Sequence, residues 1–139
     1  MNFSLKYSKR VMEEFQNPKN IGEIKNPDGI GRVGSPLCGD IMWCYIKVAK
    51  KDNKEYIEDI KIRTFGCVAN IATSSVLTES VKGKTLEDAQ KIKPTDIIKA
   101  LDGLPEAKKH CADLAINSLK AAIEDYKSKK SKGFESKHK

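Results

Sequence analysis

Apolar residues recur at every second position from Met42 to Val48, which is the period of a half-buried strand. A further strand follows over Tyr56 to Thr64, where the apolar phase slips near Asp59, and polar residues 50–55 between the two predict a hairpin turn. Another strand is predicted near Ile30 to Ser35, after a loop rich in Gly, Asn and Pro. Because short connections join consecutive strands, we expect an antiparallel meander.

Apolar residues at helical spacing predict helices on both sides of these strands. One helix spans Ser8 to Phe15 and ends before Pro18. After the strands, a helix over Ala69 to Leu77 is ended by Gly83. Two short helices over Leu86–Ile92 and Thr95–Leu101 precede a long final helix after Pro105, whose apolar stripe is Ala112, Ala115, Ile116, Leu119, Ala122, Ile123 and Tyr126.

Strands followed by helices favour an α+β domain, a small three-stranded antiparallel sheet with helices packed on one face. At 139 residues the chain is long enough to bury a core without disulfide bonds. We predict one domain over residues 1–127 and a lysine-rich, disordered tail over residues 128–139.

The formal charge of +7 is concentrated in the tail. Residues 127–139 contain six lysines and one acid, which leaves +2 for the rest of the chain. Lysine-rich ends usually aid solubility, and we see no RNA- or DNA-binding motif, so we expect no nucleic-acid partner. If the tail did bind nucleic acid, removing residues 127–139 would abolish most of the affinity.

The first residues lack the apolar core of a signal peptide, and the longest apolar run, Ile41 to Ile46, is far too short to span a bilayer. We therefore expect a soluble cytoplasmic protein with reduced thiols and no membrane association. In that compartment, cysteines near Asp and His more often indicate metal binding or reactivity than cross-linking.

Cys67 lies where the last predicted strand meets a helix. Gly66 before it permits a sharp turn, and the unpaired N–H groups and dipole of a helix start stabilise a thiolate. The thiolate is the form that binds metal and attacks sulfur or carbon. On this evidence a functional cysteine and an ordinary half-buried one remain alternatives.

Two other cysteines have informative neighbours. Cys38-Gly39-Asp40 falls between two predicted strands, where the alternative to a binding site is a simple turn with a buried cysteine. Cys111 lies at the edge of the buried face of the final helix, with His110 in the same first turn. Because adjacent helical residues do not face one another, we do not expect His110 to activate Cys111 directly, although both can bind one ion.

The fourth cysteine, Cys44, shares the phase of Met42 and Ile46 and is predicted to be a core residue. The other three cysteine segments can all lie at one end of such a sheet. Three thiolates with an oxygen or an imidazole suit zinc or an iron–sulfur cluster, whereas calcium and magnesium prefer oxygen ligands.

Several separated motifs occur in order along roughly residues 4–127. They are Leu37-Cys38-Gly39-Asp40-Ile41-Met42, Phe65-Gly66-Cys67, Ala72-Thr73-Ser74-Ser75 with Glu79, Val81-Lys82-Gly83-Lys84-Thr85-Leu86, and His110-Cys111 with the run Lys120 to Tyr126. Together they resemble the IscU-type iron–sulfur cluster assembly scaffolds, which are also the N-terminal domain of NifU.

The resemblance implies a non-enzymatic scaffold. A [2Fe–2S] cluster is built on it from iron and from sulfur delivered by a cysteine desulfurase, and is then passed to apo iron–sulfur acceptor proteins. Cys38, Cys67 and Cys111 match the three ligand cysteines, and Asp40 and His110 match the two candidates for the fourth position. Zinc is a common occupant in this family, and the cluster-loaded scaffold is expected to be able to dimerise.

Two segments depart from the family pattern. Leu104-Pro105-Glu106-Ala107-Lys108 stands where the family usually has Leu-Pro-Pro-Val-Lys, which makes a dedicated Hsp70-type chaperone partner doubtful. Within that segment, Lys108 matches a lysine that pairs with Asp40 or a thiolate. Val68-Ala69-Asn70 replaces the usual Gly-Ser-Ala and stiffens the turn after Cys67.

Two other functions use the same residues. A zinc-binding regulatory protein would hold zinc and lack acid-labile sulfide. A sulfurtransferase would carry persulfide on Cys111 or Cys38 and transfer sulfur without iron.

Overall fold

The computed structural model of the protein describes residues 6–35 and 40–131. Along the chain the elements are α1 (Lys9–Gln16), β1 (Gly29–Ser35), β2 (Asp40–Lys51), β3 (Lys54–Phe65), α2 (Val68–Val81), α3 (Leu86–Ala89), α4 (Pro94–Ala100), a 3₁₀ turn (Glu106–Lys108) and α5 (His110–Ser131).

The three strands form an antiparallel sheet in the order β1-β2-β3. The turn between β2 and β3 consists of Asp52 and Asn53, both with positive φ (54° and 65°), as in the two-residue hairpin turns that match the twist of a sheet. The predicted meander and the α+β class are therefore confirmed.

A bulge accounts for the slip in the apolar phase of β3. Lys47 pairs with Asp59 while Val48 pairs with Ile57, so Glu58 is the extra residue. Because of this insertion, Ile57 and Ile60 are both fully buried although they lie three residues apart.

The helices cover one face of the sheet. Helix α5 packs on β1 and β2, and α2 packs on β3 and α5. Cys44 is fully buried in the resulting core, which confirms its predicted role, and burial raises the pKa of its thiol.

Helix α5 approaches the sheet most closely at the glycines of β1. A Cβ added to Gly31 would lie 2.3 Å from the Ser118 carbonyl oxygen and 2.4 Å from the Ala122 nitrogen. No side chain therefore fits between β1 and the helix at this point.

Helices α3 and α5 end at residues other than those predicted. Helix α3 ends at Ala89 rather than Ile92, because the backbone N–H of Lys91 bonds to Asp88 and the helix unwinds into a 3₁₀-type turn before Pro94. Helix α5 extends to Ser131, into the segment predicted as tail, and residues 132–139 lie outside the described residues. Within the described ranges, no helix is long and apolar enough to cross a membrane.

The contact between β1 and α5 predicts that alanine substitution at two glycines of β1 has unequal effects on stability. Gly31→Ala should lower the free energy of unfolding by about 1–3 kcal/mol, because the methyl group meets backbone atoms that cannot move independently. Gly34→Ala is the matched control in the same strand, since its Cβ would lie 3.4 Å from the nearest atom. Denaturant unfolding of both variants measures the difference, and equal stabilities would contradict the close packing.

Candidate functional site

Three chain segments meet at one end of the sheet. Asp40 opens β2, and its neighbour Ile41 pairs with Phe65 at the end of β3. Cys67 follows two residues later as the N-cap of α2. His110 and Cys111 open α5, and their ligand atoms lie close to the Asp40 carboxylate.

The potential ligand atoms of these segments are close together. Cys67 Sγ lies 3.9 Å from Cys111 Sγ, and the ligand atoms of Asp40, His110 and Cys111 all lie within 4.8 Å of one another. Two thiols, an imidazole and a carboxylate form a donor set that suits zinc or an iron–sulfur cluster. The structure thus brings together four of the five residues predicted as ligands, while Cys38 lies outside the described residues.

The structure brings His110 and Cys111 into contact, although adjacent residues of a helix generally do not face one another. His110 Nε2 lies 3.8 Å from Cys111 Sγ. Both residues stand at the first turn of α5, where the imidazole ring is long enough to reach the adjacent side chain. This proximity allows both side chains to bind one ion.

Gly66 makes room for the carboxylate. A Cβ at this position would lie 2.8 Å from Asp40 Oδ1 and 2.1 Å from Asn70 Nδ2. Any side chain at residue 66 would displace one of these groups, so the glycine is required by close approach as well as by the turn.

The thiols of Cys67 and Cys111 have pKa values that are shifted in opposite directions. The hydrogen bond from Cys111 is the main influence that lowers the pKa of Cys67, to about 5, against the opposing effect of burial. Cys67 makes no side-chain capping hydrogen bond, but the N–H groups of Asn70 and Ala69 and the charge of Lys108 also favour its thiolate. The same hydrogen bond to Cys67, together with burial, raises the pKa of Cys111.

Lys108 is the lysine that faces the site. Partial burial would lower its pKa, but Cys67, Tyr7 and Cys111 together outweigh this effect and the net shift is upward. Lys109 is directed to Glu106, with Nζ 3.1 Å from the carboxylate. Of the two pairings expected for Lys108, the one with a thiolate is the one its pKa shift reflects.

Two residues near the site were not identified from the sequence. Tyr7 precedes α1, and its pKa is raised by burial and then by the charges of Cys67 and Cys111. Asn70 is fully buried in α2 beside Asp40. Both positions depend on tertiary contacts, and neither residue belongs to a motif whose spacing indicates a ligand.

Comparison with known proteins places this arrangement in a family. The family model described as NifU-like N terminal domain matches residues 6–133. The chain belongs to this family. A family relative named iron-sulfur cluster assembly scaffold protein IscU 1, from Archaeoglobus fulgidus, is 56% identical over 120 residues, which cover 86% of this chain and 76% of the relative.

A second relative agrees with membership of the NifU-like family, and a solved structure shares the fold. The protein named iron-sulfur cluster assembly scaffold protein IscU from Escherichia coli K12 is 49% identical over 127 residues, covering 89% of this chain and 96% of the relative. The crystal structure of a nitrogen-fixing NifU-like protein (N-terminal) from Brucella abortus matches with a TM-score of 0.65 and 24% identity, over 88% of this chain and 94% of that one. This last similarity confirms the fold.

The difference in pKa between the two thiols predicts that Cys67 is alkylated selectively in the metal-free protein. Because its pKa is lowered to about 5, Cys67 should react with iodoacetamide at a rate that changes little from about pH 6 to 8, whereas an ordinary thiol gains about tenfold per pH unit below its pKa of about 8.5. Lys108→Ala and Cys111→Ala should each raise the pKa of Cys67 and restore a pH dependence.

Lys109→Ala is the matched control, because its ammonium group pairs with Glu106. Peptide mass spectrometry separates Cys67 from the other cysteines. In the unsubstituted protein, an alkylation rate of Cys67 that rises tenfold per pH unit would contradict the lowered pKa of its thiol.

Proposed function

We propose that this chain is a scaffold on which a [2Fe–2S] cluster is assembled from iron and sulfur and then transferred to apo acceptor proteins. The observation that carries the proposal is the convergence of Cys67, Cys111, Asp40 and His110 at one end of the sheet. The function named for relatives about half identical to the chain supports it.

In this proposal, thiolates from Cys67, Cys111 and Cys38 hold the cluster. Cys38 is two residues from Asp40 in the chain. Asp40 or His110 supplies the fourth position. A carboxylate is a harder and more easily exchanged ligand for iron–sulfur clusters than a thiolate. Such a ligand suits a scaffold that must release its cluster to an acceptor protein.

The protonation of the site prepares it for loading. Cys67 is the thiol that ionises first, because its pKa is lowered. Cys111 must lose its proton when metal binds, since the thiolate is the ligand form. Lys108 offsets part of the negative charge that then accumulates.

The proposed chemistry requires two classes of partner. A cysteine desulfurase supplies sulfur, and apo iron–sulfur proteins accept the finished cluster. The scaffold acts by holding and releasing its cargo rather than by catalytic turnover, in a cytoplasm where its thiols stay reduced, and the loaded form is able to dimerise.

A second candidate, a zinc-binding regulatory protein, is favoured by one observation. The ligand atoms of Asp40, His110 and Cys111 lie within 4.8 Å of one another, and Cys67 completes a four-residue set with mixed sulfur, nitrogen and oxygen donors that zinc accepts. Zinc would occupy the same residues as the cluster, so metal and sulfide analysis after anaerobic loading distinguishes the two functions.

Anaerobic reconstitution tests the cluster ligands. Protein incubated with ferrous iron, cysteine, a cysteine desulfurase and a dithiol reductant, which reduces the transferred persulfide sulfur to sulfide, should acquire iron, acid-labile sulfide and visible charge-transfer absorption. Cys38→Ser, Cys67→Ser and Cys111→Ser should each abolish stable binding, because a neutral hydroxyl is a poor ligand for iron. Cys44→Ala is the matched control: it should retain the cluster and lose about 1 kcal/mol of stability as a small core truncation.

Zinc binding without sulfide by the unsubstituted protein would instead support the regulatory candidate. Persulfide transfer to a small acceptor in the absence of iron would indicate a sulfurtransferase. Loss of the cluster from a folded Cys44→Ala variant would contradict the ligand assignment.

Cluster transfer tests the exchangeable position. Asp40→Cys should hold the cluster more tightly and pass it to an apo-ferredoxin more slowly, because a thiolate replaces the harder carboxylate. His110→Ala should weaken zinc binding and affect the cluster less. Transfer rates and metal affinities of both variants are measured anaerobically, and unchanged transfer from Asp40→Cys with cluster loss in His110→Ala would assign the exchangeable position to His110.

A further inference from the structure

Asn70 differs from the other buried polar residues of α2. Its side chain is fully buried, and neither Oδ1 nor Nδ2 has a hydrogen-bond partner in the part of the chain that the structure describes. Thr73 donates to the Ala69 carbonyl oxygen at 2.8 Å, and Thr78 donates to the Ser75 carbonyl oxygen at 2.8 Å. A buried amide without partners destabilises a fold, so its retention calls for an explanation.

The amide lies beside the carboxylate of Asp40. Asn70 Nδ2 and Asp40 Oδ1 lie 2.1 Å and 2.8 Å from one point, the position that a Cβ of residue 66 would take. Only the absence of a side chain at Gly66 lets the two groups approach each other. Since an ionised carboxylate accepts hydrogen bonds and cannot donate them, the NH₂ group of Asn70 is the half of the amide that can pair with it.

We propose that Asn70 is a positioning residue for Asp40, whose NH₂ group donates to the Asp40 carboxylate when that carboxylate holds a metal. A carboxylate that binds a cation through one oxygen keeps lone pairs for a donor on the other, and such outer partners orient metal ligands and strengthen binding. The inference rests on the proposed function, because it requires Asp40 to contact metal.

If Asn70 positions Asp40, replacing Asn70 should stabilise the metal-free protein and weaken the binding of metal. Because the buried amide has no partner among the described residues, Asn70→Ala should raise the melting temperature of the metal-free protein. With metal bound, the amide gains its partner, so the same substitution should weaken metal binding by about 10- to 100-fold. A merely structural asparagine would not change both quantities in these directions.

The experiment uses the full chain with reduced thiols and Zn²⁺ as the probe. Zinc affinity is measured by competition with a chromogenic chelator, and Co²⁺ absorption reports the ligand geometry. Asn70→Ala is compared in the unsubstituted chain and in an Asp40→Ala background. Asn70→Leu, which keeps the number and branching of the side-chain heavy atoms without hydrogen-bonding groups, is the second variant.

Ser74→Ala serves as the matched control. It truncates another buried polar side chain of α2, one that contacts Met42 Sδ at 3.6 Å in the core, and it should leave zinc affinity unchanged.

The double-mutant cycle gives the deciding result. If Asn70 acts through Asp40, Asn70→Ala and Asn70→Leu lower zinc affinity in the unsubstituted chain and have no further effect once Asp40 is alanine. An unchanged affinity, or an equal loss in both backgrounds, overturns the positioning role. Failure of the unsubstituted chain to bind zinc or a cluster contradicts the proposed function itself, whereas normal binding with no effect of Asn70 contradicts this inference alone.

Discussion

Helix α5 lies against β1 with almost no side chain between them, because Gly29 and Gly31 face the backbone of residues 118 and 122. The helix and the strand therefore form one rigid unit rather than two elements separated by adaptable side chains. Since α5 begins with His110 and Cys111 and the adjacent β2 begins with Asp40, this contact determines the distance between ligands that are distant in sequence. The packing of the core therefore sets the relative positions of these ligand residues.

The candidate site combines several arrangements that are each locally unfavourable. One proton serves two sulfur atoms 3.9 Å apart, a lysine is held beside a thiolate, and a buried amide has no partner among the described residues. Each of these arrangements is less favourable than an apolar core would be at the same place. Such local cost is typical of functional sites, where the surrounding packing maintains an arrangement that a ligand then stabilises.

Local pattern and tertiary contact account for different parts of this structure. The alternation from Met42 to Val48 was enough to predict β2 and the burial of Cys44, because strand period and burial are linked directly. The disturbed phase near Asp59 was visible in the sequence, since a bulge inserts one residue and shifts every later side chain. The early end of α3 was missed, because a turn of 3₁₀ type has nearly the same composition as a helical turn.

In the candidate site, too, some features could be predicted from sequence motifs and others depend on tertiary contacts. Motif resemblance identified the cysteines, Asp40 and His110, and the structure brings the described ones together. The contact between His110 and Cys111 was not predicted, because helical spacing describes a helix interior better than its first turn. The positions of Tyr7 and Asn70 depend on how separate elements pack, and no periodic pattern encodes them.

The hairpin turn at Asp52 and Asn53 has a practical consequence for handling the protein. It lies at the opposite end of the twelve-residue strand β2 from Asp40, about 40 Å away along an extended strand. Both turn residues are exposed. A fluorophore or a surface-attachment group placed there is remote from the ligand residues, so the molecule can be immobilised by the hairpin with the other end of the sheet facing solution.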